Sequence, residues 1–275
     1  METLAFLSAI TTGVLWGITP TLYSEAVRSK GPVCANAWKS WGALAVSWVV
    51  TTFLGLFEVP SLRAFSYITL NAFLGAVIGD YAFFRGIKIA GAGKATPVGF
   101  TYILWATLLS NLSLGEPVSL GVISGALLSV FGIWLLYEDG KWDLSGIVWS
   151  LIASLFWAIS PMIMKLALEE VNPFAASAWG SVIMAVVFSF MASRTGFSGG
   201  YGLRKAALGG GLGIGIGLTL FYYSVSRLGV SIPVLATAVS PLVTQLASWI
   251  GGEAPTPRTL LGSGIIALGI ALGAS

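Results

Sequence analysis

A stretch that occurs twice constrains this chain most. Trp16-Gly17-Ile18-Thr19-Pro20 lies inside the first apolar run, and Trp157-Ala158-Ile159-Ser160-Pro161 lies inside another, 141 residues later. The same offset carries Pro32 onto Pro173, Ala37-Trp38 onto Ala178-Trp179 and Ser40 onto Ser181. Matches held in register over such a distance are the mark of an internal duplication. Gly75-Ala76-Val77-Ile78-Gly79 then parallels Gly213-Ile214-Gly215-Ile216-Gly217, and Pro97-Val98 parallels Pro233-Val234. The chain reads as two copies of one unit, 1–141 and 142–275.

What surrounds those units follows from polarity. The 275 residues are 56% hydrophobic and 9% charged, with a mean hydropathy of +0.89. A water-soluble domain carries about a quarter charged residues, so lipid is the expected solvent. A helix crossing the roughly 30 Å hydrocarbon core needs about 20 apolar residues. Ten segments qualify: 4–24, 33–57, 66–89, 95–114, 118–137, 144–165, 174–193, 206–227, 230–250 and 258–274. Short breaks such as Arg28-Ser29-Lys30-Gly31-Pro32 and Val171-Asn172-Pro173 separate them. Five spans per copy is an odd number, so the second copy enters the membrane from the opposite side. The expected fold is an all-α membrane protein of ten transmembrane helices, arranged as two inverted five-helix repeats about an axis in the membrane plane.

Lys and Arg concentrate in the connections after odd-numbered spans (Arg28, Lys30, Lys88, Lys94, Lys141, Arg194, Arg204, Lys205, Arg258). That bias puts those connections in the cytoplasm and both termini outside, for a multi-pass protein of the cell (inner) membrane. Met1-Glu2-Thr3-Leu4 carries no positive region ahead of its apolar run and reads as the start of a first span, not a cleaved signal.

Several chemistries are excluded. There is no histidine and one cysteine, Cys34, so histidine-based metal sites and Ser-His-Asp or Cys-His catalysis have no residues to build on. No cofactor or metal is called for, and no enzyme is expected. The net charge of +3 is scattered without a basic block, which argues against nucleic acid as a partner. Gly91-Ala92-Gly93-Lys94-Ala95-Thr96 lacks the leading glycine and the adjacent hydroxyl of a phosphate loop. The expected partners are a small-molecule substrate and the lipid bilayer, with the chain as a monomer.

The candidate working residues sit in mid-span. Pro20 and Pro161 each remove a helical hydrogen bond at matching depth and suit a pair of hinges; Pro241 is a third candidate kink. Trp16, Trp105 and Trp157 lie deeper than the interfacial belts expected for Trp38, Trp142 and Trp249. An indole at that depth either fills a bundle core or lines a cavity, with Tyr81, Tyr102, Tyr222 and Tyr223 as company. Asp80, in the middle of span three, costs about 3 kcal/mol or more as a carboxylate in lipid. It either pairs with Lys39 or Arg85, or it binds a substrate ammonium or a proton. Its counterpart in the second copy is Leu218. Glu116 and Glu253 end their spans beside Gly and Pro in a solvated or cap role, and glycines four apart, such as Gly13/Gly17, Gly121/Gly125 and Gly269/Gly273, offer smooth crossing faces.

Two inverted five-span halves, Trp16-Gly17-x-x-Pro20 in the first span, and Pro97 with Gly115-Glu116 at the two ends of the fourth resemble the ten-span EamA-type branch of the drug/metabolite transporter superfamily. The resemblance implies a substrate cavity between the halves, lined by spans one, three, four, six, eight and nine, with spans five and ten packed together at the periphery. Tyr102-Ile103-Leu104-Trp105 resembles a stretch of the aromatic amino acid exporters, with Ala106 where those carry proline. The function so implied is secondary transport of small metabolites by alternating access, with amino acid export first. An organic-cation carrier caged by the same tryptophans is the alternative. A nucleotide-sugar or phosphate-ester exchanger ranks below it, since it calls for basic residues lining the cavity and only Lys39 and Arg85 qualify.

Overall fold

The computed structural model describes residues 2–114, 120–136, 144–194, 199–250, 252 and 254–273. The boundary expected at 141/142, together with Glu116, Trp142 and Glu253, lies outside them. Each of the ten apolar segments is mostly helical over its described residues. Among the described residues, five helical segments are long and apolar enough to cross a membrane: Glu2–Phe53, Leu62–Ala90, Leu144–Ala167, Pro173–Ser193 and Tyr201–Leu228. The outward side chains are large and apolar, with Phe53, Leu62 and Ile250 more than four-fifths exposed, which suits a lipid solvent.

Helix α1, Glu2–Phe53, contains the first apolar segment and the second as far as Phe53, and is interrupted at Gly31, where φ is 83° and ψ 168°. A side chain is disfavoured in that conformation, and Pro32 restarts the helix with its φ already set. Next come α2, Leu62–Asn71, a π-helical stretch, Ala72–Asp80, and α3, Tyr81–Ala90, in one continuous run. The second copy repeats this pattern. The stretch Gly211–Leu218 is π-helical between α9, Tyr201–Gly210, and α10, Thr219–Leu228. Both wide turns fall on the glycine-rich runs that the duplication pairs, where α-helical preference is weakest.

The fourth and ninth apolar segments are each broken in the middle. Helix α4, Ala92–Gly99, gives way at Phe100–Thr101 to α5, Tyr102–Leu114. Helix α11, Ser231–Ala236, passes through a 3₁₀ turn, Thr237–Val239, into α12, Ser240–Ile250. Pro241 has no N–H to give the Thr237 carbonyl, which instead accepts from Ser240. In both breaks a threonine hydroxyl donates to the carbonyl three residues back, Thr101 to Val98 and Thr237 to Val234, each at 2.7 Å. Side-chain donors of this kind let a broken helix persist without bare backbone in lipid.

Helices α6, Leu120–Leu136, and α13, Pro257–Gly273, pack on each other. A Cβ at Gly132 would stand 2.7 Å from the Gly262 carbonyl, and one at Gly269 would stand 2.7 Å from that of Gly125. Of the glycines expected on this face, Gly125 and Gly269 form the crossing, and Gly132 and Gly262 complete it. The remaining helices, α7, Leu144–Ala167, and α8, Pro173–Ser193, lie against α2, α3 and α1. Asn172 caps α8 by accepting from Ala175 at 2.9 Å.

Candidate functional site: a cavity with one charged end

Both sequence halves line a cavity of about 120 Å³. A water occupies roughly 10–15 Å³ of such space, so there is room for on the order of ten. That is the bulk of a small metabolite.

Its charged end belongs to the first half. Asp80 closes the π-helical stretch after Gly79, a position where a Cβ would stand 2.8 Å from the Trp157 ring. The missing side chain lets the indole approach the carboxylate. One Asp80 oxygen pairs with the Lys39 ammonium; the other accepts the Trp157 indole N–H at 2.9 Å. Lys39 is 1% exposed and Asp80 8%, and the ammonium lies 5.0 Å from the centre of the Phe84 ring. The pair is formed and desolvated. Of the partners left open by the sequence, Asp80 takes Lys39. Arg85 instead stacks its guanidinium 5.0 Å from the Trp149 ring centre, and its buried Nε has no hydrogen-bond partner among the described residues.

The equivalent positions in the second half are neutral. Leu218 stands for Asp80 and, by the 141-residue offset, Gly180 for Lys39; both line the cavity. The tryptophans keep the symmetry that the charges break. Trp157 shares its N–H with the Gly75 carbonyl at 3.1 Å, and Trp16 donates to the Gly213 carbonyl at 2.8 Å. Each indole thus reaches the π-helical stretch of the opposite half. Phe100 sits between them, its ring centre 6.4 Å from that of Trp16 and 6.2 Å from that of Trp157.

Neutral polar groups on the wall are already bonded. The Tyr222 hydroxyl donates to Asn71 Oδ1 at 2.8 Å, and the Asn71 amide donates to the Ser160 carbonyl and hydroxyl, both at 2.7 Å. Tyr102 and Thr237 bond through their hydroxyls at 2.8 Å. Each group that faces the space is held by a neighbour, so the wall is preorganised.

Five of the seven residues expected to bind cargo line the cavity: Trp16, Asp80, Tyr102, Trp157 and Tyr222. Trp105 and Tyr81 do not. Ile103 and Ala106, each 1% exposed, define the buried face of α5, and Trp105 lies off it at 39%. Tyr81 follows Asp80 by one residue and so points about a quarter-turn away, edge-on to Trp149. Tyr223 stays outside too, with the Arg227 guanidinium 5.8 Å from its ring centre. Pro20 and Pro161 line the cavity, whereas Pro241 does not.

The set of spans implied by the resemblance changes as well. The segment 230–250 contributes no lining residue, because Ser240 and Thr244 donate to the Gly13 and Gly17 carbonyls at 2.7 and 2.6 Å and press it onto α1. Lys39 and the α8 residues Ser177, Gly180 and Met184 line the cavity instead. Asn71 and the α8 residues carried no mid-span charge or proline to single them out.

Three glycines on the wall differ in what holds them. A Cβ at Gly75 would stand 2.5 Å from the Ser160 hydroxyl, and one at Gly213 would stand 3.0 Å from that of Thr19. At Gly180 it would meet only Ile68 Cγ2, at 3.8 Å, an ordinary contact. Glycine inside a helix is about 0.5–1 kcal/mol less favourable than alanine. Packing accounts for Gly75 and Gly213 but not for Gly180.

A family model for the EamA-like transporter family matches residues 3–138 and again 144–274. An uncharacterized transporter of Archaeoglobus fulgidus is 23% identical over 194 residues, covering 70% of this chain and 69% of that protein. The uncharacterized transporter YoaV of Bacillus subtilis is 22% identical over 281 aligned positions, covering 96% and 94%. A solved crystal structure superposes with a TM-score of 0.74 at 19% identity, covering 98% of this chain and 95% of that one. The two share a fold along their whole length.

Proposed function

Because this chain belongs to the EamA-like transporter family, with two repeats in one polypeptide, we propose that it carries neutral amino acids outward across the cell (inner) membrane by alternating access. It is a membrane transporter of the EamA type. In our reading its ten helical segments are ten spans, and the halves 1–141 and 142–275 are inverted repeats that rock about the cavity, with Pro20 and Pro161 as hinges. The repeated π-helical stretches and the crosswise indole bonds support that reading. The outward direction is carried over from the resemblance to the amino acid exporters.

The observation that carries the choice of cargo is the buried Lys39–Asp80 pair on the cavity wall. The pair is neutral as a unit. A zwitterion that sets its ammonium against Asp80 and its carboxylate against Lys39 leaves the site neutral. An organic cation leaves one uncompensated positive charge there, and a carboxylate or phosphate leaves uncompensated negative charge. An unpaired charge in a desolvated site costs several kcal/mol, which separates these classes by orders of magnitude in binding. Room for about ten waters also suits a single amino acid better than a nucleotide sugar.

Counterflow in proteoliposomes loaded with one unlabelled compound at a time tests this. Exchange with alanine or leucine, and none with choline or a nucleotide sugar, is the expected result. Exchange with choline alone would transfer the site to the organic-cation reading.

A further inference from the structure

We infer that Gly180 determines which cargo side chains this cavity accepts: the empty volume beside it is the side-chain compartment of the amino acid site. The inference rests on the amino acid reading above and extends it from the charged head of the cargo to its tail.

The argument starts from a glycine without a packing reason. Gly75 and Gly213 are held by hydroxyls that would collide with a Cβ, whereas a Cβ at Gly180 would touch only Ile68, at 3.8 Å. Gly180 lies in the interior of α8, Pro173–Ser193, outside the positive-φ glycines of the chain. Neither backbone conformation nor a close helix crossing therefore demands glycine there, although glycine weakens a helix. What its missing side chain provides is space on the wall of a cavity.

The repeat says what that space is for. Gly180 occupies the position that Lys39 holds in the first half, and Leu218 the position of Asp80. An amino acid whose charged groups meet Lys39 and Asp80 leaves its side chain to be housed elsewhere along the same cavity. Gly180, Leu218 and Trp16 all line that cavity and carry no charge. One methylene in an apolar pocket is worth on the order of 10–200-fold in discrimination, so methyl groups added at position 180 should be read directly in cargo selectivity.

The test compares wild type, Gly180→Ala and Gly180→Val in proteoliposomes, with counterflow of alanine, leucine and phenylalanine and with thermal unfolding of each purified protein. In both variants the ratios of leucine and phenylalanine exchange to alanine exchange should fall by about tenfold or more per step of added bulk. Gly180→Ala should melt no lower than wild type. If a variant slows all three cargoes equally, or slows none, the inference is overturned. It is also overturned if Gly180→Ala melts lower, because the space would then be structural. A wild type that exchanges none of the three removes the amino acid reading itself. A wild type that exchanges all three, beside variants with unchanged selectivity, removes only the role of Gly180. If Gly180→Val fails to fold, Gly180→Ala decides alone.

Discussion

The indole N–H of Trp157 donates to the carboxylate of Asp80 at 2.9 Å and also reaches the carbonyl of Gly75 at 3.1 Å. Among the described residues, the indole N–H of its repeat equivalent, Trp16, makes only the carbonyl contact, to Gly213 at 2.8 Å. The second half has Leu218 where an acid would complete the match. The two latches between the halves are thus alike in backbone and unlike in charge, and the unlike part is the candidate binding site.

Replacing each indole should expose that difference. Trp16→Phe loses one neutral hydrogen bond, worth about 0.5–1.5 kcal/mol, while Trp157→Phe also strips a donor from a buried carboxylate, for about 1.5–3 kcal/mol more. Thermal or denaturant unfolding in detergent should rank Trp157→Phe as the more damaging. Equal losses would contradict the asymmetry.

Breaking the ion pair from either side should be severe, and breaking it from both sides mild. Lys39→Met or Asp80→Leu alone leaves one buried charge unpaired, at about 3–5 kcal/mol. The double variant Lys39→Met, Asp80→Leu removes both charges and should recover most of that stability while transport stays absent. A double variant that transports at the wild-type rate would remove the pair from the binding site.

Gly75→Ala sets a Cβ 2.5 Å from the Ser160 hydroxyl, which the Asn71 amide holds in place. Overpacking of this kind costs about 1–3 kcal/mol. Adding Ser160→Ala should return part of the loss in a melting experiment. A Gly75→Ala protein as stable as wild type would show that the π-helical stretch has slack there.

The spans can be counted by labelling. In a Cys34→Ala background, single cysteines at Ser29 and Ser61 flank the second span, and both positions are exposed. Ser29→Cys should react only after the membrane is permeabilised and Ser61→Cys from outside the cell. Labelling of both from one side would contradict the ten-span reading.

Much of this was legible in the sequence, and the reasons are local. Hydrophobic length marked every helical segment, and the 141-residue offset tied Trp16 to Trp157 before either was placed. Depth put Lys39 within reach of Asp80, because helical rise converts residue counts into ångströms, but it left Arg85, a substrate ammonium and a proton open as alternatives. What stayed hidden was direction around each helix axis. Trp105 and Tyr81 share their segments with true lining residues, and a small rotation separates them from the cavity. The two π-helical stretches and the breaks at Phe100–Thr101 and Thr237–Val239 change that rotation, and a 3.6-residue period does not announce them. Gly180 was silent for another reason: an absent side chain leaves no chemistry to notice until its surroundings are known.

The account rests on a cavity that reads a zwitterion, and three compounds with one isobutyl tail test that most directly. Counterflow should be measured for leucine, for isoamylamine, which lacks the carboxylate, and for isocaproate, which lacks the ammonium. Exchange of leucine with neither analogue is the predicted result. Exchange of isoamylamine at a rate equal to leucine would show that the carboxylate is not read, and would contradict the role assigned to Lys39.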